Sequence, residues 1–579
     1  MTAKTKPAFV PSALIPGLII LVGVLLTLWM QTFVRNGVVF SGDGGLKALL
    51  AQQLAQQLQT GSFPLEMALK IPAPDWAISL WQQGLYPFQP PFVYEVGSQY
   101  FITFPFTFPL VSAPFYALFG DRGLYVVPLV ALWSIWFRFW QLSRRAKWGL
   151  LPLSIGLVSL IFASPLSLYG GMYWEHTLAV ALAFWGVSAL MFPRDALFPQ
   201  DALISRNRAL GSGILIGLSV WFRPEFLCLI VAVSLLAIVG WLLPRWNLAP
   251  PFTLMKAAIL IGAMGCTVGV FFALNYGIYG HPLGIHAIQI VEESNLATQV
   301  AQAKDSYGQM FSSLIRYFPV AVLVAIAAAI SPEFKQANLK TTNRFRGFKT
   351  ANTELVGIRH ERQREDTVGR FALALSILFA LSVPLIVPPG AGGKQWGPRF
   401  YLILVPLLSL VLAEQLRSGF LRTTTRRVVL VGAAIALVLG IQLNTFNGAF
   451  ASFKADQSVS LKSNYEPIAP AIAQLQQQPL PWIAISHEFV AQQLWLALPD
   501  KTFFRTETIA EVKQLAAALV AQGEGEFLYV CYPHRDCPTP ETPENGRILE
   551  LAGESNRRLK FAPLGDYGKY PIYKVEIAS

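Results

Sequence analysis

Residues that could act on a substrate lie in five short clusters of this 579-residue chain. The clusters contain Asp43; Glu175 and His176; Arg223; His281; and Lys394, Gln395, Trp396 and Arg399. Carboxylates and imidazoles can take a proton from a substrate, and cationic side chains can stabilise a negative charge that develops on a leaving group. The residue types therefore fit a group transfer, provided that the fold brings the clusters together.

Each cluster also has an ordinary structural explanation. Asp43 stands at a helix start and could cap its free amides, and Arg223 could extend towards lipid phosphates. His281 precedes a proline and could be a loop residue, while the other clusters could sit at helix ends as interfacial pairs or anchors. Ionisable groups at membrane depth cost about 3 kcal/mol each and tend to face cavities. The joint placement of all five at one side of the membrane is what favours a shared polar cavity.

The composition indicates the elements that must position these residues. Of the residues, 54% are hydrophobic and 13% are charged, whereas soluble domains average about 25% charged. Apolar runs of span length recur up to residue 446, and we read the first as a retained helix rather than a cleaved signal peptide. The pattern predicts eleven membrane-spanning helices, near 13–34, 121–141, 149–168, 177–192, 209–222, 226–243, 257–279, 312–330, 371–388, 400–416 and 428–446.

The distribution of lysine and arginine predicts the orientation. With the N-terminus in the cytoplasm, the short inside loops carry most of the basic residues, as the positive-inside rule requires. The net charge of +12 is then a matter of topology and gives no sign of a nucleic-acid partner. Counting 104–119 as a further span would invert every later loop, so we expect this proline-rich segment to be juxtamembrane or re-entrant.

Two regions are predicted outside the cytoplasm. The first is a long loop, 35–120, in which the glycines of SGDGG allow a sharp turn and a helix over 46–58 lies along the membrane surface. The second is the tail, 447–579, whose short apolar runs alternate with helical patterns and predict a small α/β domain. Cys531 and Cys537 can pair there if the compartment is oxidising. The chain thus divides into a membrane domain, 1–446, and a soluble domain, 447–579.

The order and spacing of several segments resemble the GT-C superfamily of lipid-carrier-dependent glycosyltransferases, which includes protein O-mannosyltransferases and aminoarabinose transferases. The matching segments are SGDGGLKALL, FPFTFPLVSAPFYALFGDRGLY, GILIGLSVWFRPEFL, FFALNYGIYGHPLG and GGKQWGPRFYLILVPLL. They extend from the first helix to about residue 410, and the tail is similar to the C-terminal domains that many members carry. The resemblance implies a helical polytopic membrane fold and an enzyme of the cell membrane.

The resemblance also implies a reaction: a sugar moves from a polyprenyl-phosphate donor to an acceptor hydroxyl on a glycan, lipid or protein. Asp43 is then the general base, and one attack by the acceptor gives inversion. Arg223, Lys394 and Arg399 would bind the donor phosphate, and the sugar or acceptor would contact Glu175, His176, His281, Gln395 and Trp396. Many members have a second acid beside the first-loop aspartate. Here Gly44 follows Asp43, and a lone carboxylate is a poor divalent-metal site. A divalent metal stays an open alternative, and no cofactor is assigned.

Two other functions remain open from the sequence. A transporter or lipid flippase also needs charged groups in a membrane cavity, although such proteins usually contain internal repeats or paired broken helices, and no repeat is visible here. A glycan polymerase or ligase would also use arginines at the outer face. The early aspartate loop favours the monosaccharide transferase.

Overall fold

The structure, a computed structural model, is predominantly helical. It describes residues 11–34, 37–191, 204–246, 248–285, 296–330, 353–387, 396–417, 423–451, 461–534, 537, 547–550 and 558–578. Its α-helices are α1 Pro11–Met30, α2 Gly42–Thr60, α3 Asp75–Leu80, α4 Thr107–Phe119, α5 Val126–Arg145, α6 Leu150–Ile161, α7 Leu166–Gly170, α8 His176–Met191, α9 Arg206–Phe222, α10 Leu227–Leu242, α11 Leu254–Tyr279, α12 Leu296–Tyr317, α13 Val320–Ile330, α14 Thr353–Ser382, α15 Leu404–Leu416, α16 Thr423–Ile441, α17 Leu461–Tyr465, α18 Ala469–Gln477, α19 Glu488–Gln493 and α20 Ile509–Ala521.

The apolar runs fold into helices of membrane length. Among the described residues, six helical stretches are long and apolar enough to cross a membrane, or seven if one bent pair counts as a single span. Three shorter apolar helices, α6, α8 and α15, accompany them. A helix occupies the place of each of the eleven predicted spans. The number eleven itself stays a prediction, because fewer helices meet the length and hydropathy that a crossing requires.

One predicted span contains a sharp bend. The stretch 312–330 is divided between α12 and α13, which are bent by 99° at Phe318 and Pro319. Proline has no backbone N–H to donate and disfavours helical geometry at the residue before it. Pro319 therefore explains the break, although the apolar pattern of the sequence continues across it.

The contacts divide the chain into two compact units. The first unit comprises Met1–Trp29, Pro128–Leu274 and Ser294–Phe450, and the second comprises Met30–Val127, Asn275–Glu293 and Ala451–Ser579. The second unit contains the C-terminal tail together with most of the predicted first loop. Most of the loop and the tail thus belong to the same compact unit, and the division at residue 446 stays a prediction.

The tail contains the predicted α/β domain. Its strands are β3 Trp482–Ile485, β4 Thr502–Arg505, β5 Glu526–Val530, β6 Arg547–Glu550, β7 Arg558–Tyr567 and β8 Tyr570–Ala578, in the sheet order β4-β3-β5-β8-β7-β6. The pairs β3–β4 and β3–β5 are parallel, and the others are antiparallel. Helix α20 connects β4 to β5 and begins with a capping box between Thr508 and Glu511, which satisfies amides at the helix start. The predicted pairing of Cys531 with Cys537 is confirmed by a disulfide.

Helix α2 differs from its prediction in two respects. Its leucines, Leu46, Leu50 and Leu54 among them, are buried in protein rather than laid on a membrane surface. The expected sharp turn is also absent, because Gly42, Gly44 and Gly45 lie within the helix. A positive φ, which glycine adopts without strain, occurs upstream at Gly37, with φ +63°.

The glycines of α2 serve close packing instead. A Cβ placed on Gly45 would lie 1.6 Å from the carbonyl oxygen of Gln492, and one on Gly42 would lie 2.0 Å from its Oε1. Helix α19 therefore packs directly against the backbone of α2. A side chain at Gly42 or Gly45 would clash with Gln492 and push α2, in the first loop, away from the C-terminal domain.

The segment that complicated the span count is regular in most of its length. Residues 107–119 form helix α4 despite Pro109 and Pro114, and a 3-10 turn over Gly120–Tyr125 leads into α5. Together they form one apolar stretch of 39 residues, Thr107–Arg145. The segment that was predicted to be a juxtamembrane or re-entrant helix is thus helical over most of its length. Pro109 lies in the first turn of this helix, where a missing N–H costs nothing.

A small hairpin completes the first loop. Strands β1 Val93–Val96 and β2 Gln99–Ile102 pair in antiparallel fashion. Gly97 and Ser98 both have positive φ, as a two-residue hairpin turn requires. Phe101 and Tyr94 pack with Ala68 and Ile285 in a local core that also places the turn containing His281.

Candidate functional site

The first unit gathers polar side chains at the ends of its helices. Glu175 immediately precedes α8, and His176 is the first residue of that helix. Arg223 ends α9, and Arg399 begins a 3-10 turn over Arg399–Tyr401 that leads into α15. Helix ends leave backbone groups without intrahelical partners, so polar side chains at these positions meet a polar backbone.

Arg223 binds two buried carboxylates. Its Nη1 lies 3.1 Å from Oε1 of Glu175, and its Nε lies 2.7 Å from Oε1 of Glu225. The side chains of Glu175 and Glu225 are only 2% and 5% exposed, and that of Arg223 is 13% exposed. Two carboxylates contact this one guanidinium, so the positive charge of Arg223 is already compensated within the protein. Removing one partner of such a group leaves an uncompensated buried charge.

Arg399 shares an aromatic neighbour with Arg223. The guanidinium carbons of Arg223 and Arg399 lie 5.3 and 4.7 Å from the centroid of the Phe400 ring. Since both distances are measured to the same ring centroid, the two guanidinium carbons lie no more than about 10 Å apart. Aromatic faces attract cations at such distances from the ring. Arg399 is half-buried. The structure thus brings Glu175, Arg223 and Arg399, three of the predicted residues, into one neighbourhood.

Aromatic rings and an imidazole stand beside the carboxylates. His176 is buried, with its ring centroid 5.2 Å from that of Tyr169 and 5.1 Å from that of Trp174. Both Arg399 and Arg223 act electrostatically on the Tyr169 hydroxyl. An apolar wall with a few polar groups is the usual lining of a small-molecule site.

Trp396 is buried three residues before Arg399. Its Nε1–H donates to Oδ1 of Asn444 at 3.1 Å, and its ring meets that of Tyr317 edge to face at 5.5 Å. Gly397 has a φ of +73° and would bring a Cβ to 3.0 Å from the Tyr317 side chain. Glycine is therefore favoured at position 397, which explains the second residue of the Trp-Gly-Pro-Arg sequence.

Asp43 and His281 belong to the second unit. Asp43 is half-buried in the first turn of α2, where a carboxylate is favoured by the helix dipole. His281 is exposed, and its Nδ1 accepts the backbone N–H of Leu283 at 3.2 Å. That bond is local to the turn, as expected of an ordinary loop histidine.

Two predicted residues, Lys394 and Gln395, lie outside the described part of the chain. Within the described ranges, no three or more His, Cys, Asp or Glu side chains gather as a metal ion would need.

Several residues of this neighbourhood were not selected from the sequence. Glu225 follows Arg223 by two residues, so the Arg-Pro-Glu motif contained a signal for it. Phe400 follows Arg399 directly, but a phenylalanine in an apolar run has no distinguishing pattern. Tyr169 and Asn444 approach Trp396 only through the fold, and no local signal could have identified them.

The comparisons with known proteins concern the fold. No protein-family model matches the sequence, and no curated protein matches it. ArnT from Cupriavidus metallidurans, solved with undecaprenyl phosphate, is similar over 96% of this chain and 97% of its own, with 10% identity and a TM-score of 0.47. An oligosaccharyltransferase from Archaeoglobus fulgidus is similar over 89% of this chain and 69% of its own, with 10% identity and a TM-score of 0.42.

Because these TM-scores are below 0.5, the functional argument for this chain rests on its own residues.

Proposed function

We propose that this protein is an integral membrane glycosyltransferase that moves a sugar from a polyprenyl-phosphate donor to an acceptor hydroxyl. The observation that carries the proposal is the placement of Arg399 and Arg223 around one aromatic ring, beside buried carboxylates, at the ends of apolar helices. A lipid-linked phosphate needs both an apolar environment for its chain and a cation for its headgroup. The resemblance of the sequence to GT-C enzymes supports the same reaction.

In the proposed reaction the acceptor oxygen attacks the anomeric carbon of the donor. The bond from that carbon to the phosphate oxygen breaks, and the phosphate leaves with the electron pair, which gives inversion at the anomeric carbon. Asp43 takes the acceptor proton as general base. Arg399, together with Lys394, stabilises the negative charge of the departing phosphate.

The geometry favours a different role for Arg223 from the phosphate contact that the sequence suggested. Its charge is compensated by Glu175 and Glu225, so it has little net attraction for an anion. We assign it to holding these two carboxylates in place. The proposed contacts for the sugar or acceptor remain Glu175, His176, Gln395 and Trp396. His281 belongs to the same set and has the least structural support.

The proposed topology has about eleven spans, a cytoplasmic N-terminus and the tail on the opposite side, in the plasma or inner membrane. The Cys531–Cys537 disulfide supports this orientation, because disulfides persist in oxidising compartments outside the cytoplasm. A thiol-blocking assay on intact cells tests it: reduced Cys531 and Cys537 should react with a membrane-impermeant maleimide. Labelling only after lysis would place the tail inside.

Deletion of the gene tests the reaction. Cells without the protein should accumulate one polyprenyl-phosphate sugar and lose one sugar from a surface glycan, as measured by mass spectrometry. Wild-type protein and Asp75→Asn should restore both, because Asp75 is an exposed carboxylate in the first turn of α3. Asp43→Asn should restore neither while inserting normally. Unchanged lipid-linked sugars in the deletion would refute the proposal, and restoration by Asp43→Asn would remove Asp43 as the base.

A lipid flippase is the second candidate, and the break between α12 and α13 favours it, since transporters use discontinuous helices. The same deletion distinguishes the two. A flippase defect would leave the donor lipid on the cytoplasmic face, whereas a transferase defect would let it accumulate on the other face.

A further inference from the structure

The turn that presents Arg399 is fixed at both of its ends. Trp396 is held before it by the hydrogen bond to Asn444. Tyr401 is fully buried after it, and its hydroxyl donates to the Ala380 carbonyl at 2.7 Å. Between the anchors, the Arg399 N–H donates to the Gly397 carbonyl at 3.0 Å. A half-buried cation on a short, doubly anchored turn is pre-organised, as a charge-stabilising group should be.

Asn444 is the centre of the first anchor. Its side chain is 2% exposed, and its Nδ2 donates to the carbonyls of Tyr317 at 2.8 Å and Gly440 at 3.0 Å. With Oδ1 accepting from Trp396, two donors and an acceptor of the amide are in use. Leucine in this place would leave the Trp396 N–H and two carbonyls without this partner.

The carbonyl of Tyr317 explains why an amide is needed here. Tyr317 is the last residue of α12, and Ala321 donates to Phe318 rather than to Tyr317. The break at Pro319 therefore removes the helical donor of this carbonyl, and Asn444 replaces it. Asn444 lies in a π-helical segment over Gln442–Phe450, a distortion often found at functional sites.

We infer that Asn444 is a positioning residue that fixes the Arg399 turn, and with it the anion site, through its hydrogen bonds to Trp396 and to the end of α12. This inference rests on the proposed function, in which Arg399 binds the donor phosphate. Asn444 itself does not touch the reacting atoms. It joins three segments, α12, the π-helical end of α16 and the turn, so that the guanidinium is held before a donor arrives.

The test compares two lipid probes that differ only in charge, undecaprenyl phosphate and undecaprenol, bound to the intact protein in detergent. Asn444→Leu and Trp396→Phe should each weaken binding of undecaprenyl phosphate, by about tenfold and about threefold, and leave undecaprenol unchanged. Trp396→Phe removes the N–H donor and keeps an aromatic ring at this position, so it answers the question even if Asn444→Leu does not fold.

The matched control is Thr445→Val. Thr445 follows Asn444, and its hydroxyl donates to the Phe162 carbonyl at 2.8 Å, so the variant also loses a hydrogen bond but not one that leads to the turn. It should lower the melting temperature and leave both affinities unchanged.

Equal losses for both lipids in Asn444→Leu and Trp396→Phe would overturn the inference, since Asn444 would then support packing alone. So would unchanged phosphate binding in either variant while Arg399→Ala loses it. Failure of the proposed function looks different: the wild-type protein would not prefer the phosphate over the alcohol, or Arg399→Ala would keep that preference.

Discussion

Two arginines of the first unit lie against the same phenylalanine ring in different structural settings. Arg223 binds two buried carboxylates, which compensate its positive charge. Arg399 stands on a short turn held by neutral side chains, an indole and a phenol at its two ends. The difference indicates that a cation near a site is not by itself an anion-binding group. An arginine held by two carboxylates, as Arg223 is, has less attraction for an anion than its formal charge suggests.

The largest expected effect comes from the removal of the Arg223 guanidinium. Arg223→Met leaves Glu175 and Glu225 buried without their cation, which should cost about 3–5 kcal/mol of stability. Little folded protein should remain, as measured by size-exclusion chromatography of detergent extracts. The triple variant that adds Glu175→Gln and Glu225→Gln should recover it. If Arg223→Met alone stays folded, charge compensation is not the role of Arg223.

Arg399→Ala should act on function and not on folding. Undecaprenyl phosphate affinity should fall by about 30- to 100-fold, because a charge-assisted contact contributes roughly 2–3 kcal/mol. Binding of the lipid can be followed by the increase it causes in melting temperature. Arg206→Ala, an exposed arginine at the opposite end of α9 from Arg223, is the control and should bind normally. A loss of folded protein equal to that of Arg223→Met would remove the distinction between the two arginines.

Glu488 in the second unit shows how burial acts on a carboxylate that accepts a backbone amide. It is 3% exposed, and its Oε2 accepts the backbone N–H of Gln89 at 3.1 Å. Burial raises the pKa of its carboxyl from 4.5 to about 7, although the Gln89 N–H and Arg505 lower it, and Glu507 adds to the rise.

Because the pKa of Glu488 is higher in the folded state, its contribution to stability is complete below pH 4.5 and is lost as the pH rises through about 7. Glu488→Gln should therefore raise the stability at pH 8, by an amount of the order of 2 kcal/mol, and change it little at pH 4.5. Thermal unfolding at the two pH values measures this. The exposed Glu66→Gln is the control, and an equal gain at both pH values would contradict the assignment.

Phe400→Leu should have the smallest effect, and it tests what the shared ring does for Arg223 and for Arg399. The variant removes the ring that both guanidinium groups contact, an interaction worth about 0.5–1 kcal/mol. Arg223 keeps its carboxylates, so the melting temperature should change little. The ring also contacts the Arg399 guanidinium at 4.7 Å, so the affinity for undecaprenyl phosphate should fall about threefold. A large loss of stability with unchanged affinity would mean that the ring serves Arg223.

The sequence predicted what depends on local pattern. Long apolar runs must become helices in a membrane, and helices occupy all eleven predicted places. The strands and the disulfide of the tail also agree with the structure. Pro319 was a local signal for the break between α12 and α13, but the apolar pattern continues across it and predicted a single span.

Contacts between distant segments could not be predicted in the same way. Glu225 is two residues from Arg223 and was visible beside it, whereas Glu175 is 48 residues away. The burial of α2 depends on α19, near the other end of the chain, and an amphipathic pattern does not say whether lipid or protein covers it. The role of the glycines in α2 was missed for the same reason.

The packing of the first loop against the tail also has a consequence for biosynthesis. The Trp495 indole donates to the Gly37 carbonyl across 458 positions of the chain, so the ribosome must make nearly the whole protein before the loop meets its partner. Until then the leucines of α2 lack the protein surface that buries them in the complete chain. Burial of α2 therefore requires synthesis of the tail, and chains that end before it should expose these leucines.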